Sequence, residues 1–227
     1  MSYTLVPNCT VDDAAGLARN NMSAFWQETW WNMLWVDRTL DEIIESCTLR
    51  IPQNLLTERN VRRHQKVVDT VTGHVAGYAR WILPASYESR WLEAQTPDVS
   101  KEDRILFQQR FSSANWTTRD DLDELDKEMY RHMRENEPAG PYIKLDYVGV
   151  GPSHQHRGIG SMLVNSGIQA ADELGLDIYL VAMGKKALAM YLKLGFTLLA
   201  QDCQDLRPYG ADGVYDTYIL VKHPGGQ

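Results

Sequence analysis

The chain has 227 residues, of which 44% are hydrophobic and 23% are charged, so its length and composition suit one globular domain over residues 1–227. Its formal net charge of −7 argues against nucleic acid as the main partner, because binding to a phosphate backbone needs an excess of Lys and Arg. The same charge is compatible with a cationic ligand, although mild acidity often serves only solubility.

The cysteines and the apolar segments bear on the cellular compartment. They argue against a cysteine-ligated metal site and against a membrane-spanning segment. Cys9, Cys47 and Cys203 lie far apart and form no pair with metal-ligand spacing, so we expect reduced thiols and no metal. The first residues lack a basic stretch followed by an apolar one, and no apolar run approaches membrane-spanning length. We therefore expect a cytoplasmic or nucleo-cytoplasmic protein with no membrane contact.

The first forty residues combine a short strand, a helix and an aromatic stretch. Residues 3–7 have the composition of a strand, and Thr10 is a suitable N-cap for a helix that runs towards Asn21. Residues 25–35 hold four of the seven tryptophans of the chain. This stretch is either a helix packed on the core or the wall of a ligand pocket, where aromatic faces would attract a cation.

Two further elements precede a long insertion. Thr39, with Glu42 three residues later, is typical of a capping box and predicts a helix that ends near Pro52. Residues 65–83 predict a β-hairpin with its turn at Thr72 and Gly73.

Residues 84–144 predict a helical insertion with one acidic face. A first helix opens at Ser100 and has Ile105, Leu106 and Phe111 as its expected buried stripe. A second opens at Thr118, and its apolar positions at helical spacing are Leu122, Leu125, Met129 and Met133. The opposite face carries Asp120, Asp121, Asp123, Glu124, Asp126 and Glu128. Such a face is either solvated or an acidic rim that attracts a positively charged ligand.

A strand, a glycine-bearing turn and a helix are predicted in the middle of the second half. The apolar run at residues 145–150 ends at Gly151, the turn contains Gly158 and Gly160, and helical periodicity then continues to Gly175. The first N–H groups of a helix have no internal partner, and glycine lets an anion approach the backbone. This unit therefore predicts an anion site.

The remaining elements complete an alternating pattern. Residues 177–182 predict a strand, residues 185–194 predict a helix that stops at Gly195, and residues 196–199 and 214–221 predict the last two strands. No internal repeat or low-complexity linker interrupts this order.

Two short motifs carry a family resemblance. Gln155-x-x-Gly158-x-Gly160 and Tyr191-x-x-x-Gly195-Phe196 resemble the conserved segments of the Gcn5-related N-acetyltransferase (GNAT) superfamily, and the likeness is dense only over residues 140–222. Leu163 replaces the third glycine of a dinucleotide fingerprint, and no Gly-Lys-Ser/Thr of a P-loop follows. The resemblance implies an α/β (α+β) fold with a mixed, mostly antiparallel, splayed sheet flanked by helices. It places the helical insertion between strands three and four.

The resemblance also implies acetyl-CoA as co-substrate and a set of residues to bind it. The pantetheine arm would lie along the fourth strand, and the pyrophosphate would lie on the turn and helix start. The expected binding residues are Val148, Gly149, Val150, Gln155, His156, Arg157, Gly158, Ile159, Gly160 and Ser161. The histidines of this turn could equally be exposed loop residues, and Lys185 and Lys186 either meet other phosphates or are simply exposed.

Catalytic and acceptor residues follow from the same resemblance. Tyr191 is expected to give a proton to the leaving thiolate, unless it is only packed against the sheet. Asp146 is the candidate base, with a structural role or a chain of waters as alternatives. Trp26, Trp30 and Trp31 are expected to wall the acceptor pocket.

These expectations combine into one functional hypothesis. The sequence predicts direct acetyl transfer from acetyl-CoA to a primary amine, more specifically to a small-molecule amine. Acetylation of a protein lysine or N-terminus is the alternative within the same class. A catalytically inactive CoA-binding regulatory module is the alternative outside it. A monomer and a homodimer are both compatible with the sequence.

Overall fold

The computed structural model describes residues 2–225, and within them lie seven strands and seven α-helices. The strands are β1 (Tyr3–Val6), β2 (Arg62–Asp69), β3 (Val75–Ile82), β4 (Tyr142–Val150), β5 (Asp177–Met183), β6 (Thr197–Asp205) and β7 (Val214–Lys222). The helices are α1 (Ala14–Ala24), α2 (Thr29–Asn32), α3 (Leu40–Leu56), α4 (Lys101–Ser113), α5 (Leu125–Glu135), α6 (Ile159–Leu174) and α7 (Lys185–Lys193). None of these helices is long and apolar enough to cross a membrane.

All seven strands join in one open sheet with the order β1-β2-β3-β4-β5-β7-β6. Every neighbouring pair is antiparallel except β4 and β5, which run parallel. Helices cover both faces, and the predicted fold class is confirmed. The predicted hairpin is present as β2 and β3.

Alternation along β3 divides the core into two layers. Trp81 and Ala79 face α6, and Tyr78 faces α1 and α3. On the α6 side, packing is so close that a Cβ at Gly167 would lie 2.1 Å from the Trp81 ring. The α6 layer is therefore tightly fitted at the middle of the helix.

The second helix of the insertion is docked as its periodicity predicts. Leu122, Leu125 and Met129 are buried. The helix α5 lies against β6 and β7, where Gln204 Nε2 donates to the carbonyl of Leu125 at 2.6 Å. This segment is part of the main fold and packs on β6 and β7 at one end of the sheet.

The expected buried stripe of the first insertion helix is wrong. Ile105 is 60% exposed and Leu106 is 39% exposed. These residues and Phe111 do not recur at intervals of three or four, so α4 has no continuous apolar face. It rests on α3 instead, with the Phe111 ring 3.8 Å from the Arg50 guanidinium carbon.

Two helix boundaries also differ from the sequence expectations. The aromatic stretch is not one helix, because α1 ends at Ala24 and a turn separates it from the four-residue α2. Helix α3 continues through Pro52 to Leu56. Burial of Ile51 and Leu55 on either side of the proline outweighs the one hydrogen bond that it cannot donate.

Candidate active site

A β-bulge at Asp146 opens the sheet between β4 and β5. Strand β4 pairs with β5 only from Tyr142 to Leu145, whereas its pairing with β3 continues to Val150. The register against β3 shifts between Arg80 and Trp81, which leaves Asp146 as the extra residue on β4. The second half of β4 therefore has one edge without a neighbouring strand.

The free edge of β4 presents the backbone groups of Val148 and Val150. Gly151 N–H donates to the carbonyl of Ala76 at 3.2 Å, so alternate residues before it also point towards β3. Val148 and Val150 point the other way, into the gap. The Gln155 side chain reaches the same edge, because its Nε2 donates to the Val150 carbonyl at 3.2 Å.

The N-terminus of α6 supplies three donors beside this edge. Gly158 is the N-cap with φ +78°, a conformation that favours glycine, and no side chain caps the helix. The first intrahelical bond runs from Met162 N–H to the Gly158 carbonyl at 2.9 Å. Within residues 2–225, the N–H groups of Ile159, Gly160 and Ser161 therefore keep their hydrogen-bonding capacity for a ligand.

These donors open onto a groove of about 580 Å³ between α6, α7 and the aromatic turn. The predicted residues that line it are Val148, Val150, Gln155, His156, Gly158, Ile159, Gly160 and Ser161. His154, Lys186 and Lys193 also line it, opposed by one acidic residue, Glu28. The two lysines and the helix terminus together favour an anion.

Two of the predicted binding residues stand apart from the groove lining. Arg157 donates from Nη1 to the Tyr3 hydroxyl at 3.2 Å, at the side of the turn that faces β1. Gly149 points its backbone towards β3, and a Cβ there would meet the Tyr147 ring at 2.9 Å. Gly149 therefore allows close packing behind the groove.

Asn20 of α1 holds the end of β4 in place, a role that no local sequence pattern indicates. Its Oδ1 accepts from Gly151 N–H at 2.9 Å, and its Nδ2 donates to the Gly149 carbonyl at 3.1 Å. The neighbouring Asn21 carbonyl accepts from the Tyr147 hydroxyl at 3.0 Å. The partners are more than 120 residues apart in sequence, so only the folded chain reveals the contact.

A second cavity of about 180 Å³ lies in the gap where β4 leaves β5. Its walls are Phe25, Trp30, Trp31, Leu145, Asp146, Tyr147, Val148, Val181, Ala182, Met183, Ala187 and Tyr191. It joins the groove, because Phe25, Trp30, Val148, Met183 and Ala187 line both. The two spaces therefore meet beside Val148, on the part of β4 that follows the bulge.

The tryptophans divide differently from the expectation. Trp30 and Trp31 line the smaller cavity, but Trp26 lines neither space and packs against the α1–α3 core. Trp26 therefore does not reach either space, because the chain turns between α1 and α2 and this ring packs inward. Phe25 takes its place, 5.8 Å from the Tyr147 ring centroid in a T-shaped contact.

Tyr191 on α7 is buried at the far wall of the smaller cavity. Its ring is fixed by a T-shaped contact to Phe196, with centroids 5.3 Å apart. Burial raises the pKa of the phenol well above its ordinary value, so it is protonated at neutral pH. Its hydroxyl has no hydrogen-bond partner among residues 2–225, which leaves it available to a ligand.

Asp146 is bound to two basic side chains. Arg80 Nε lies 2.5 Å from one carboxylate oxygen, and Lys144 Nζ lies 3.3 Å from the other. Burial alone would raise the pKa of Asp146, but the charges and hydrogen bonds of Arg80 and Lys144 lower it below its usual value. The carboxylate is therefore ionised and a weak proton acceptor at neutral pH.

A buried histidine lies beside this ion pair. His64 is 1% exposed, and its Nδ1 lies 2.8 Å from the Tyr78 hydroxyl. Burial, and then the surrounding arginines, lower the pKa of His64 to about 3. A buried polar pair therefore lies next to the bulge.

The acidic helix of the insertion reaches the neighbourhood of the smaller cavity. Asp126 Oδ1 accepts from the Tyr215 hydroxyl at 2.9 Å, and the Tyr215 ring centroid lies 5.8 Å from that of Trp30. Partial burial, and then Asp126, Asp123 and Asp146, raise the pKa of Tyr130.

No cluster of three His, Cys, Asp or Glu side chains with the geometry of a metal site occurs in the described part of the chain.

A family model described as the acetyltransferase (GNAT) family matches residues 18–196.

Three solved structures share this architecture. The C-terminal condensation domain of Ebony, in complex with β-alanyl-dopamine, superimposes with TM-score 0.64 and 14% identity over 98% of this chain and 99% of that one. A protein described as histone acetyltransferase HPA2 and related acetyltransferase, from Corynebacterium glutamicum, gives TM-score 0.59 and 20% identity over 100% and 99%. The PaiA N-acetyltransferase of Thermoplasma acidophilum, in complex with coenzyme A, gives TM-score 0.54 and 11% identity over 98% and 99%.

Proposed function

Because this chain belongs to the acetyltransferase (GNAT) family, we propose that it transfers the acetyl group of acetyl-CoA to the primary amine of a small cationic molecule. The transfer is direct, with no acetyl group bound covalently to the enzyme. Among the described residues that line the smaller cavity, none is a Cys or a Ser that could carry one.

The observation that carries the proposal is the meeting of groove and cavity at the free edge of β4. The groove has an anion-binding helix terminus at one end and Tyr191 beyond the other, so it suits a long co-substrate with phosphates at one end and a reactive group at the other. The cavity approaches the same point from the acceptor side. That a protein of this fold was solved with coenzyme A supports this assignment.

The co-substrate is held by backbone groups in two places. The N–H groups of Ile159, Gly160 and Ser161 bind phosphate oxygens, assisted by His156 and Lys186 in the groove. The C=O group of Val148 and the N–H and C=O groups of Val150 pair with amide groups as a neighbouring strand would. Arg157 contributes positive potential from the side of the turn rather than a direct contact.

The reaction breaks a carbonyl–sulfur bond and forms a carbonyl–nitrogen bond. The ammonium nitrogen loses one proton to water before the attack and a second one after it, and this second loss balances the proton that sulfur gains. Tyr191 donates that proton, because its phenol is protonated, lacks another partner and lines the cavity. The Val148 N–H, at the free edge, donates a hydrogen bond to the carbonyl oxygen on which negative charge develops.

Asp146 acts as a fixed negative charge for the incoming ammonium group. Its lowered pKa makes it a poorer base than the sequence hypothesis requires, so the first proton passes to water. Arg80 keeps the carboxylate in place at the bulge. The acidic face of α5 adds a wider negative field that favours cations near the cavity.

A two-step binding and turnover experiment tests the proposal. Acetyl-CoA should raise the melting temperature of the protein, and release of the CoA thiol should then depend on an added primary amine. Stabilisation without amine-dependent release would identify a CoA-binding module instead of an enzyme for small amines. Absence of stabilisation would remove the groove assignment as well.

A further inference from the structure

We propose that the acceptor has a compact apolar body of about one six-membered ring and a single cationic nitrogen. This inference deepens the proposed function and rests on it. It concerns the smaller cavity alone, which is where an acceptor would meet the reacting group.

The size of the cavity sets the first limit. Its volume is about 180 Å³, whereas the joined groove has about 580 Å³. An apolar cavity of roughly 150 Å³ accommodates benzene. A ring-sized body therefore fills the smaller cavity, and its amine arm extends towards the groove. A four-carbon lysine arm fills it only in part and loses dispersion contacts with the walls.

The lining sets the chemical class. Four walls are aromatic rings, those of Phe25, Trp30, Trp31 and Tyr147. The remaining contacts come from aliphatic side chains and Met183, apart from the carboxylate of Asp146 and the phenol of Tyr191. Such walls favour an apolar body, and their faces also attract one cation.

A second charge on the acceptor would have no partner in the cavity. Asp146 is the one carboxylate in the lining, and the reacting ammonium group takes it as its partner. A polyamine would have to bury another ammonium group without compensation. An acceptor with its own carboxylate would find no cation in the lining, and it would face the acidic side of α5.

The aromatic walls are held in place, which gives the cavity a defined shape. The Trp31 ring lies 6.0 Å from Phe25 and 5.9 Å from Trp35, and Trp35 lies 4.8 Å from Trp116. These centroid distances belong to one continuous row of rings. A shape fixed in this way discriminates by size as well as by polarity.

The test measures kcat/KM for three acceptors with the full chain and acetyl-CoA. We expect 2-phenylethylamine to exceed spermidine and a lysine-bearing tetrapeptide by at least about 100-fold, because only the ring is fully buried without a second charge. Preference for spermidine or the peptide would overturn the inference while leaving acetyl transfer intact. No amine-dependent CoA release with any of the three would contradict the proposed function itself.

Matched variants at Val181 test whether the cavity sets this preference. Val181 lines the smaller cavity and not the groove, so substitutions there should leave the KM for acetyl-CoA unchanged. Val181→Phe should lower kcat/KM for 2-phenylethylamine roughly 100-fold and that for ethylamine less than about threefold, since it fills the space for a ring. Val181→Ala should retain the larger amine. Equal losses for both amines in Val181→Phe, or none, would contradict the assignment.

A control at the far end of the aromatic row separates cavity shape from general packing. Trp116→Phe keeps an aromatic ring outside the cavity lining and should leave the amine preference within about twofold. A change of preference as large as that of Val181→Phe would show that the preference is not set by the cavity.

Discussion

The groove side and the cavity side of this cleft are built in opposite ways. The anion-binding wall of the groove comes from one continuous stretch, in which β4 passes through a glycine-bearing turn into α6. The cavity side draws on α2, the bulge in β4, β5 and α7, and it is backed by the acidic helix of the insertion. Local sequence therefore determines one wall, and tertiary packing determines the other.

This difference separates affinity for the co-substrate from choice of the acceptor. Backbone donors at a helix terminus depend little on side-chain identity, so a short motif is enough to encode them. The cavity depends on side chains from distant segments, and those that do not also line the groove can change without disturbing the phosphate site. Substitutions on the two sides should consequently alter different kinetic constants.

The largest effect is expected on the groove side. Gly158→Trp should abolish the thermal stabilisation by acetyl-CoA, because an indole would fill the space in front of the three helix donors. Gly73→Trp is the matched control, since Gly73 has φ +73° and an equally open Cβ position but lies in the β2–β3 turn. Stabilisation by acetyl-CoA that persists in Gly158→Trp would remove the phosphate assignment.

The next largest effect is expected at Tyr191, near the point where the groove and the smaller cavity meet. Tyr191→Phe should lower kcat by about 100- to 1,000-fold with little change in the KM for acetyl-CoA, as expected for loss of a general acid. Its thermal stability should be close to that of the wild type, because the lost hydroxyl has no partner within the described residues. Tyr218→Phe, also buried but outside both spaces, should retain full kcat. Full activity in Tyr191→Phe would reduce this residue to a packing role.

The buried His64 should make the free energy of unfolding depend on pH. The pKa of His64 falls from 6.5 to about 3 on folding, so the unfolded chain alone binds a proton between these values. The contribution of the neutral His64 to the free energy of unfolding is then fully present above pH 6.5 and is lost as the pH falls towards 3. The free energy of unfolding should fall by about 2 kcal/mol between pH 7 and pH 5.

Urea unfolding at these two pH values measures this contribution. His64→Gln, whose amide can still bond to Tyr78, should lose about 2 kcal/mol less than the wild type over the same interval. His74→Gln, at an exposed position, should behave like the wild type. An identical pH dependence in His64→Gln and the wild type would show that His64 is not the titrating group.

A smaller effect is expected at the cavity carboxylate. Asp146→Asn should lower kcat/KM for the amine about 10-fold through loss of a charge attraction, with the KM for acetyl-CoA unchanged. Lys144→Gln frees the same carboxylate from one cation. This variant should raise kcat/KM for the amine or leave it unchanged. A loss of roughly 1,000-fold or more in Asp146→Asn would instead identify this residue as the general base.

The sequence could predict the elements whose signals are local. The turn at Gly158 and Gly160, the β2–β3 hairpin and the docked face of α5 all follow from residues within a few turns of chain. The bulge at Asp146 does not, because it depends on the register of β3 against β4. Asn20 and Arg80 were missed for the same reason, since their partners lie more than 60 residues away.

The aromatic stretch shows where periodicity misleads. Its composition favoured one continuous helix, but the break after Ala24 rotates Trp26 into the core and directs Phe25, Trp30 and Trp31 to the cavity. In α4 the prediction failed in another way. Apolar residues alone suggested that Ile105 is buried, but it is exposed. Spacing, rather than apolar content, decides which side chains a short helix can bury.

Release of CoA measured by rapid mixing, with and without an amine, tests direct transfer most directly. With acetyl-CoA and enzyme alone, the account predicts no burst of free thiol equal to the enzyme concentration. Addition of 2-phenylethylamine should then produce thiol and acetylated amine in equal amounts. A stoichiometric burst without amine would reveal an acetylated enzyme, and it would contradict direct transfer at the meeting point of groove and cavity.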